Sequence, residues 1–275
     1  MGLADCYTVL GTFSLIPMRD ALPRAKAAAA KGLEIDRTLG EAHASLAIVL
    51  FAYEHQWPEA EVQFRKSIRL HPNYATAHQW YSFCLAAMGR IPEAIAEVRT
   101  AVELDPLSLI INTNAGTVLY WARQFDLAIE QYRKTLRIAP DFWTAHWMLG
   151  LAYEQKNRYE DAVAEFQRAI ELFPGSSPLL SGSLARSYAL SGARHQVDEL
   201  LEQMNKQRPQ DCSSPFHIAL IYAALEENDV AFAWLQKACE EHEIWINFLK
   251  VDPRMDQLRE DPLYDRLLKT AGLPE

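Results

Sequence analysis

The chain has 275 residues, 49% of them hydrophobic and 23% charged, the balance of a folded chain rather than a disordered one. Its formal net charge is −9, and residues 196–275 hold −8 of it, from 8 Lys/Arg against 16 Asp/Glu. Neither part offers the basic stripe that nucleic acid or an anionic membrane needs, so no nucleic-acid and no membrane partner is expected.

Cys6, Cys84, Cys212 and Cys239 are far apart and form no CxxC or Cys/His ligand pair, which fits reduced thiols. No apolar run approaches the roughly 20 residues of a membrane helix. The N-terminal residues lack the basic start of a secretory signal, and a cytoplasmic location is expected.

In chain order, residues 1–39 read as a degenerate copy of the repeat that follows. Leu3, Ala4 and Tyr7 stand on its first helix, Ala25, Ala29 and Gly32 on its second, with a long loop through Thr12–Ala21. The first of these helices is apolar on several faces, with Tyr7, Val9, Leu10 and Phe13, which leaves two readings open: the sequence simply starts there, or something upstream packs on it.

From residue 40 the repeat is explicit. Pro72, Pro106, Pro140, Pro174 and Pro209 are spaced 34, 34, 34 and 35, and each ends a helix because proline lacks the N–H and clashes one turn back. Twelve residues earlier stand Ala60, Ala94, Ala128, Ala162 and Val197, with Ala231 in a sixth copy. Four residues after those come Phe64, Val98, Tyr132, Phe166, Leu201 and Leu235. Ala47, Ser82, Gly116, Gly150, Ala185 and Ala219 form a column of small residues, expected to face the alanine column where two helices approach. Gly89, Asn157 and Gly192 fall where a tight turn wants a residue tolerant of positive φ.

These columns closely resemble the tetratricopeptide-repeat (TPR) family. The resemblance implies an all-α fold, a right-handed α-solenoid of stacked helix-turn-helix units. It divides residues 40–245 into units 40–74, 75–108, 109–142, 143–176, 178–211 and 212–245. Residues 246–275 read as capping helices: Asp252-Pro253 and Asp261-Pro262 each set an N-cap before a proline, and Gly272 closes the second helix. Residues 215–225 and 251–262 are also similar to the C-terminal TPR halves of large bacterial regulators whose other half is a winged-helix, kinase or cyclase domain.

Eight histidines invite a metal, but His43, His78 and His146 recur at one position of three units, with Asn112 in a fourth. Units are displaced by about 10 Å, too far for those histidines to share an ion. No metal-site, phosphate-loop or nucleophile-elbow motif is present, so neither cofactor nor catalysis is expected.

TPR units turn positions 2, 5, 9 and 12 of each first helix to their groove. In units 75–108, 109–142 and 143–176 those are Thr76, Gln79, Phe83 and Ala86, then Ile110, Thr113, Thr117 and Tyr120, then Thr144, Trp147, Leu151 and Glu154. None is the Lys, Asn or Arg with which some TPR proteins clamp the acidic tails of chaperones. The expected site is instead an aromatic, weakly polar groove of Gln79, Phe83, Thr113, Thr117, Tyr120, Trp147 and Leu151 that takes a protein or peptide ligand. Phe83, Tyr120 and Trp147 are expected to be partly exposed there, although packing between units is an open alternative for them. The function expected is a non-enzymatic interaction scaffold. A regulatory half acting on an upstream effector domain is the alternative, and an enzyme with a site between repeats a distant third.

Overall fold

A computed structural model describes residues 2–12, 16–206 and 214–273. Phe13, Pro209 and Cys212, and with them the boundary between units 178–211 and 212–245, lie outside the described residues. Secondary structure among the described residues is helical throughout.

Backbone proximity groups the chain into two units, Met1–Pro106 with Gly272–Glu275, and Leu107–Ala271. The first holds α1 (Gly2–Thr12), α2 (Met18–Ile35), α3 (Gly40–Ala52), α4 (Trp57–Leu70), α5 (Ala75–Ala87) and α6 (Ile91–Leu104). Each odd-numbered helix packs against the next even one, and α1, α3 and α5 stand side by side. Helix α2 begins at Met18, so the loop before it is shorter than the sequence suggested.

The second unit holds α7 (Leu109–Trp121), α8 (Phe125–Ile138), α9 (Trp143–Glu154), α10 (Tyr159–Leu172), α11 (Pro178–Leu190), α12 (Arg194–Lys206), α13 (Pro215–Ala224) and α14 (Asn228–Glu240). Two 3-10 turns, Ile244–Phe248 and Pro253–Leu258, and α15 (Pro262–Thr270) complete it.

The columns read from the sequence are the core. Ala60, Ala94, Ala128, Ala162, Val197 and Ala231 are all fully buried, as are Phe64, Tyr132, Phe166 and Leu235. The small column does not face the alanines, however. A Cβ on Gly116 would lie 2.3 Å from the Tyr132 ring, and one on Gly150 2.6 Å from the Phe166 ring. The missing side chain makes room for a flat aromatic edge from the second helix, so a large residue meets a small one.

The turns inside the helix pairs repeat one conformation. His55, Gly89, Arg123, Asn157, Gly192 and Glu226 all have positive φ, between 53° and 79°. Four of these, His55, Arg123, Asn157 and Glu226, are not glycine, and the flanking helices over-determine their conformation.

The recurrent histidines tie each pair together. His78 Nδ1 meets Glu97 Oε2 at 2.6 Å and Nε2 meets the Pro72 carbonyl at 3.0 Å. His146 repeats this with Glu165 and the Pro140 carbonyl, at 2.6 and 2.8 Å. In the unit between them Asn112 donates to the Ser108 carbonyl and accepts from Gln131 Nε2, a neutral version of the same joint. With acceptors on both ring nitrogens, the hydrogen bonds outweigh burial and raise the pKa of His78 and His146.

Candidate protein-binding face

In the Leu107–Ala271 unit the first helices α7, α9, α11 and α13 stand side by side and make one face. They differ in kind from the second helices. Helix α8 buries only Ala128, Ile129, Tyr132 and Thr135, whereas α9 buries every residue from Met148 to Glu154 and α13 every residue from Pro215 to Ile221. A helix apolar all round is a helix covered all round. Its outer cover here is the chain's own C-terminal segment.

That segment comes back across the face. Trp245 packs edge-on against Trp147, with ring centroids 5.5 Å apart, and Trp147 Nε1 donates to Ser183 Oγ at 2.9 Å. Phe248 stacks on Trp121 at 4.3 Å with the planes 17° apart. Asp252 caps the second 3-10 turn by accepting from the Arg254 N–H at 2.9 Å. It also holds the Arg254 guanidinium, Nη2 to Oδ2 at 2.6 Å, and that guanidinium lies over the Phe216 ring. Gln257 donates to the Ala223 carbonyl, and Arg123 pairs with Asp256 at 2.7 Å. Asp261 caps α15 by accepting from the Leu263 N–H at 2.9 Å.

Under the segment lies a buried polar cluster. Glu154 is ion-paired with Arg186 and accepts from Ser187 Oγ. Burial disfavours the charged form of Asp252, but the Arg254 charge beside it wins and holds its pKa below the usual carboxylate range. Tyr120 is fully enclosed, and its pKa is driven up by burial and then by the Asp252 charge. The Tyr120 hydroxyl, Arg254 Nη1 and His217 Nε2 are buried without a protein hydrogen-bond partner. Burial, and then the Arg254 charge, push the His217 pKa well below its ordinary value. Its Nδ1 meets Ser214 Oγ at 2.7 Å, and that hydroxyl donates to Glu243 Oε2 at 2.8 Å. Glu243 stands where other copies have proline. Its carboxylate accepts from the Phe216 N–H at 2.9 Å, so it caps α13.

These positions correct the expectation of exposed groove aromatics. Trp147, Tyr120, Leu151, Thr113 and Thr117 are all buried, Trp147 to 2% exposure and Tyr120 to 1%. The two threonines spend their hydroxyls on their own helix, donating to the Leu109 and Thr113 carbonyls. In the Met1–Pro106 unit Gln79 is buried and Phe83 half-buried. Sequence reasoning missed Trp245, Phe248 and Arg254. The signal was the lack of a polar stripe on the first helices, which an open groove needs.

No helix among the described residues is long and apolar enough to cross a membrane. Cys6, Cys84 and Cys239 are free thiols.

Paired helices stacked through small-to-aromatic contacts define a helical-repeat protein, a solenoid in which each repeat packs on its neighbours. Residues 46–108 and 113–177 match the tetratricopeptide-repeat family. The chain is 27% identical over 90 residues to Hsp70-Hsp90 organizing protein 3 of Arabidopsis thaliana, covering 33% of this chain and 16% of that protein. It is 22% identical over 267 residues to the transcriptional regulator HilA of Salmonella typhimurium, covering 94% of this chain and 46% of HilA. The chain thus spans less than half of either relative. Among solved structures, Pseudomonas aeruginosa pilF matches with a TM-score of 0.55 at 21% identity, over 83% of this chain and 97% of that one. That likeness concerns the fold.

Proposed function

We propose that this chain is a protein-interaction module whose first-helix face takes up a polypeptide segment. The observation that carries the reading is that the face already holds one, with Trp245 on Trp147 and Phe248 on Trp121. Aromatic anchors in desolvated surroundings are the usual source of affinity for peptides. A surface preformed by repeat stacking lowers the ordering cost of binding. In the Met1–Pro106 unit, Phe83 on the first helix α5 retains accessible surface.

The match to HilA along nearly the whole chain supports a second reading, that the module is the regulatory half of a larger bacterial regulator and acts on an upstream effector domain. Chaperone-tail binding is not carried over from the organizing protein, because positions 2, 5, 9 and 12 of units 75–108, 109–142 and 143–176 hold no Lys, Asn or Arg. A non-enzymatic role fits the buried charges, since Asp252 with Arg254 and Glu154 with Arg186 are spent on each other.

A photocrosslinking residue placed at Phe83, and as a control at the exposed Leu127, tests the module reading in source cells. A polypeptide adduct from position 83 and none from 127 is expected. Identical adducts from both, or none from 83, reject it.

A further inference from the structure

The C-terminal segment was expected to cap the last repeat, and α15 does pack on α14. Residues 244–258 do something a terminal cap does not require. They lie on Trp121 of α7 and Trp147 of α9, three and two units back, as well as on Phe216 of α13 in the last unit, and Trp147 stands at a position that such repeats turn toward a ligand. Their backbone forms two short 3-10 turns, a conformation with poor internal hydrogen bonds that is used in short pieces. The segment is therefore held by side chains, as a bound peptide is. The contact is polar at its centre, where the Tyr120 hydroxyl of the seat and the segment's own Arg254 Nη1 are left without a hydrogen-bond partner. Each such group costs free energy that a purely apolar cap would avoid.

We propose that residues 244–258 are a tethered ligand. The face of α7, α9 and α13 accepts in their place a segment of another protein with the same chemistry: two aromatics three residues apart, then an acidic–proline–arginine turn like Asp252-Pro253-Arg254. This rests on the protein-interaction reading and adds to it the partner's chemistry and a built-in competitor. A tether supplies a millimolar effective concentration, so a partner in solution meets a face that is mostly closed until the segment is loosened.

The test uses the full chain and a fluorescein-labelled synthetic peptide with the sequence of residues 243–258. Trp245→Ala/Phe248→Ala weakens the occupant and leaves the face untouched. In hydrogen exchange, residues 244–258 of this variant should lose protection while α7, α9 and α11 keep theirs. By fluorescence anisotropy it should bind the peptide at least about tenfold more tightly than the wild-type chain, as removal of a tethered competitor requires. A peptide with both aromatics replaced by alanine should not compete. Equal affinity of variant and wild type overturns the proposal, and so does loss of protection in α7, α9 and α11, which would make the segment an integral part of the core. Phe248→Leu, which keeps most of the apolar volume, runs alongside: a few-fold gain is expected, and no gain counts against the proposal even if the double variant does not fold. Crosslinking at Phe83 reads the broader function separately. Adducts there with no gain in peptide affinity would remove the tethered ligand and leave the interaction module standing.

Discussion

The edge of the Phe166 ring occupies the space in which Gly150 would carry a Cβ, 2.6 Å from that ideal position. Helix α10 lies as close to α9 as it does because that methyl group is missing. The same relation joins Gly116 to Tyr132 one unit earlier.

Gly150→Ala should therefore destabilise the Leu107–Ala271 unit even though alanine is the better helix former. Overpacking of this kind costs about 1–3 kcal/mol, while the propensity gain is about 1 kcal/mol at most. A urea titration followed by circular dichroism should show a lower midpoint. An unchanged or higher midpoint would mean that Phe166 moves aside freely.

Trp147→Ala should behave as a core truncation. Its ring is buried against Trp245 and its Nε1 hydrogen is given to Ser183 Oγ. Removing a buried tryptophan costs about 3–5 kcal/mol, and Ser183 loses a partner as well. Thermal unfolding reads the effect. A variant as stable as the wild type would return Trp147 to the role of a surface anchor.

Stability should fall as pH rises past neutrality, through the histidine joints. The folded-state pKa of His78 lies above its ordinary value of 6.5, because the Glu97 and Pro72 hydrogen bonds outweigh the burial that opposes them. The folded chain thus holds that proton more tightly than the unfolded chain does. The contribution is complete below about pH 6.5 and is lost as pH climbs through the raised value. His78→Asn/Glu97→Gln copies the neutral Asn112–Gln131 joint of the next unit. The difference in unfolding free energy between wild type and this variant should shrink from pH 6 to pH 9. A constant difference would show that the joint does not titrate.

Glu226→Gly should stabilise the protein. Glu226 has φ of 63°, in a turn where equivalent copies use Gly89 and Gly192. Relief of the left-handed conformation is worth about 1 kcal/mol or more, partly offset by the greater freedom of glycine in the unfolded chain. A higher unfolding midpoint is expected. A drop would point to a side-chain role for Glu226 that outweighs its backbone cost.

Much of the architecture was legible before any coordinates. The proline ladder, the buried alanine column and the turn residues are local devices, each set by what a backbone can or cannot do at one position. Repetition at a fixed interval made them readable. The histidines too were recognisable as an imprint of the repeat, and their partners Glu97 and Glu165 recur in register with them. Which small residue meets which large one was not legible. Helical periodicity assigns a residue to a face, whereas the rotation of the facing helix decides that Gly150 receives Phe166 rather than Ala162. Exposure of the binding face was still further from reach. Position within a repeat turns Trp147 and Tyr120 toward the groove, as the sequence implies, but burial depends on everything that returns to that face. Trp245, Phe248 and Arg254 return from far along the chain, held by a stacked ring pair and a buried ion pair. Contacts between distant segments have no period, so only the tertiary structure decided that the groove of this unit is filled.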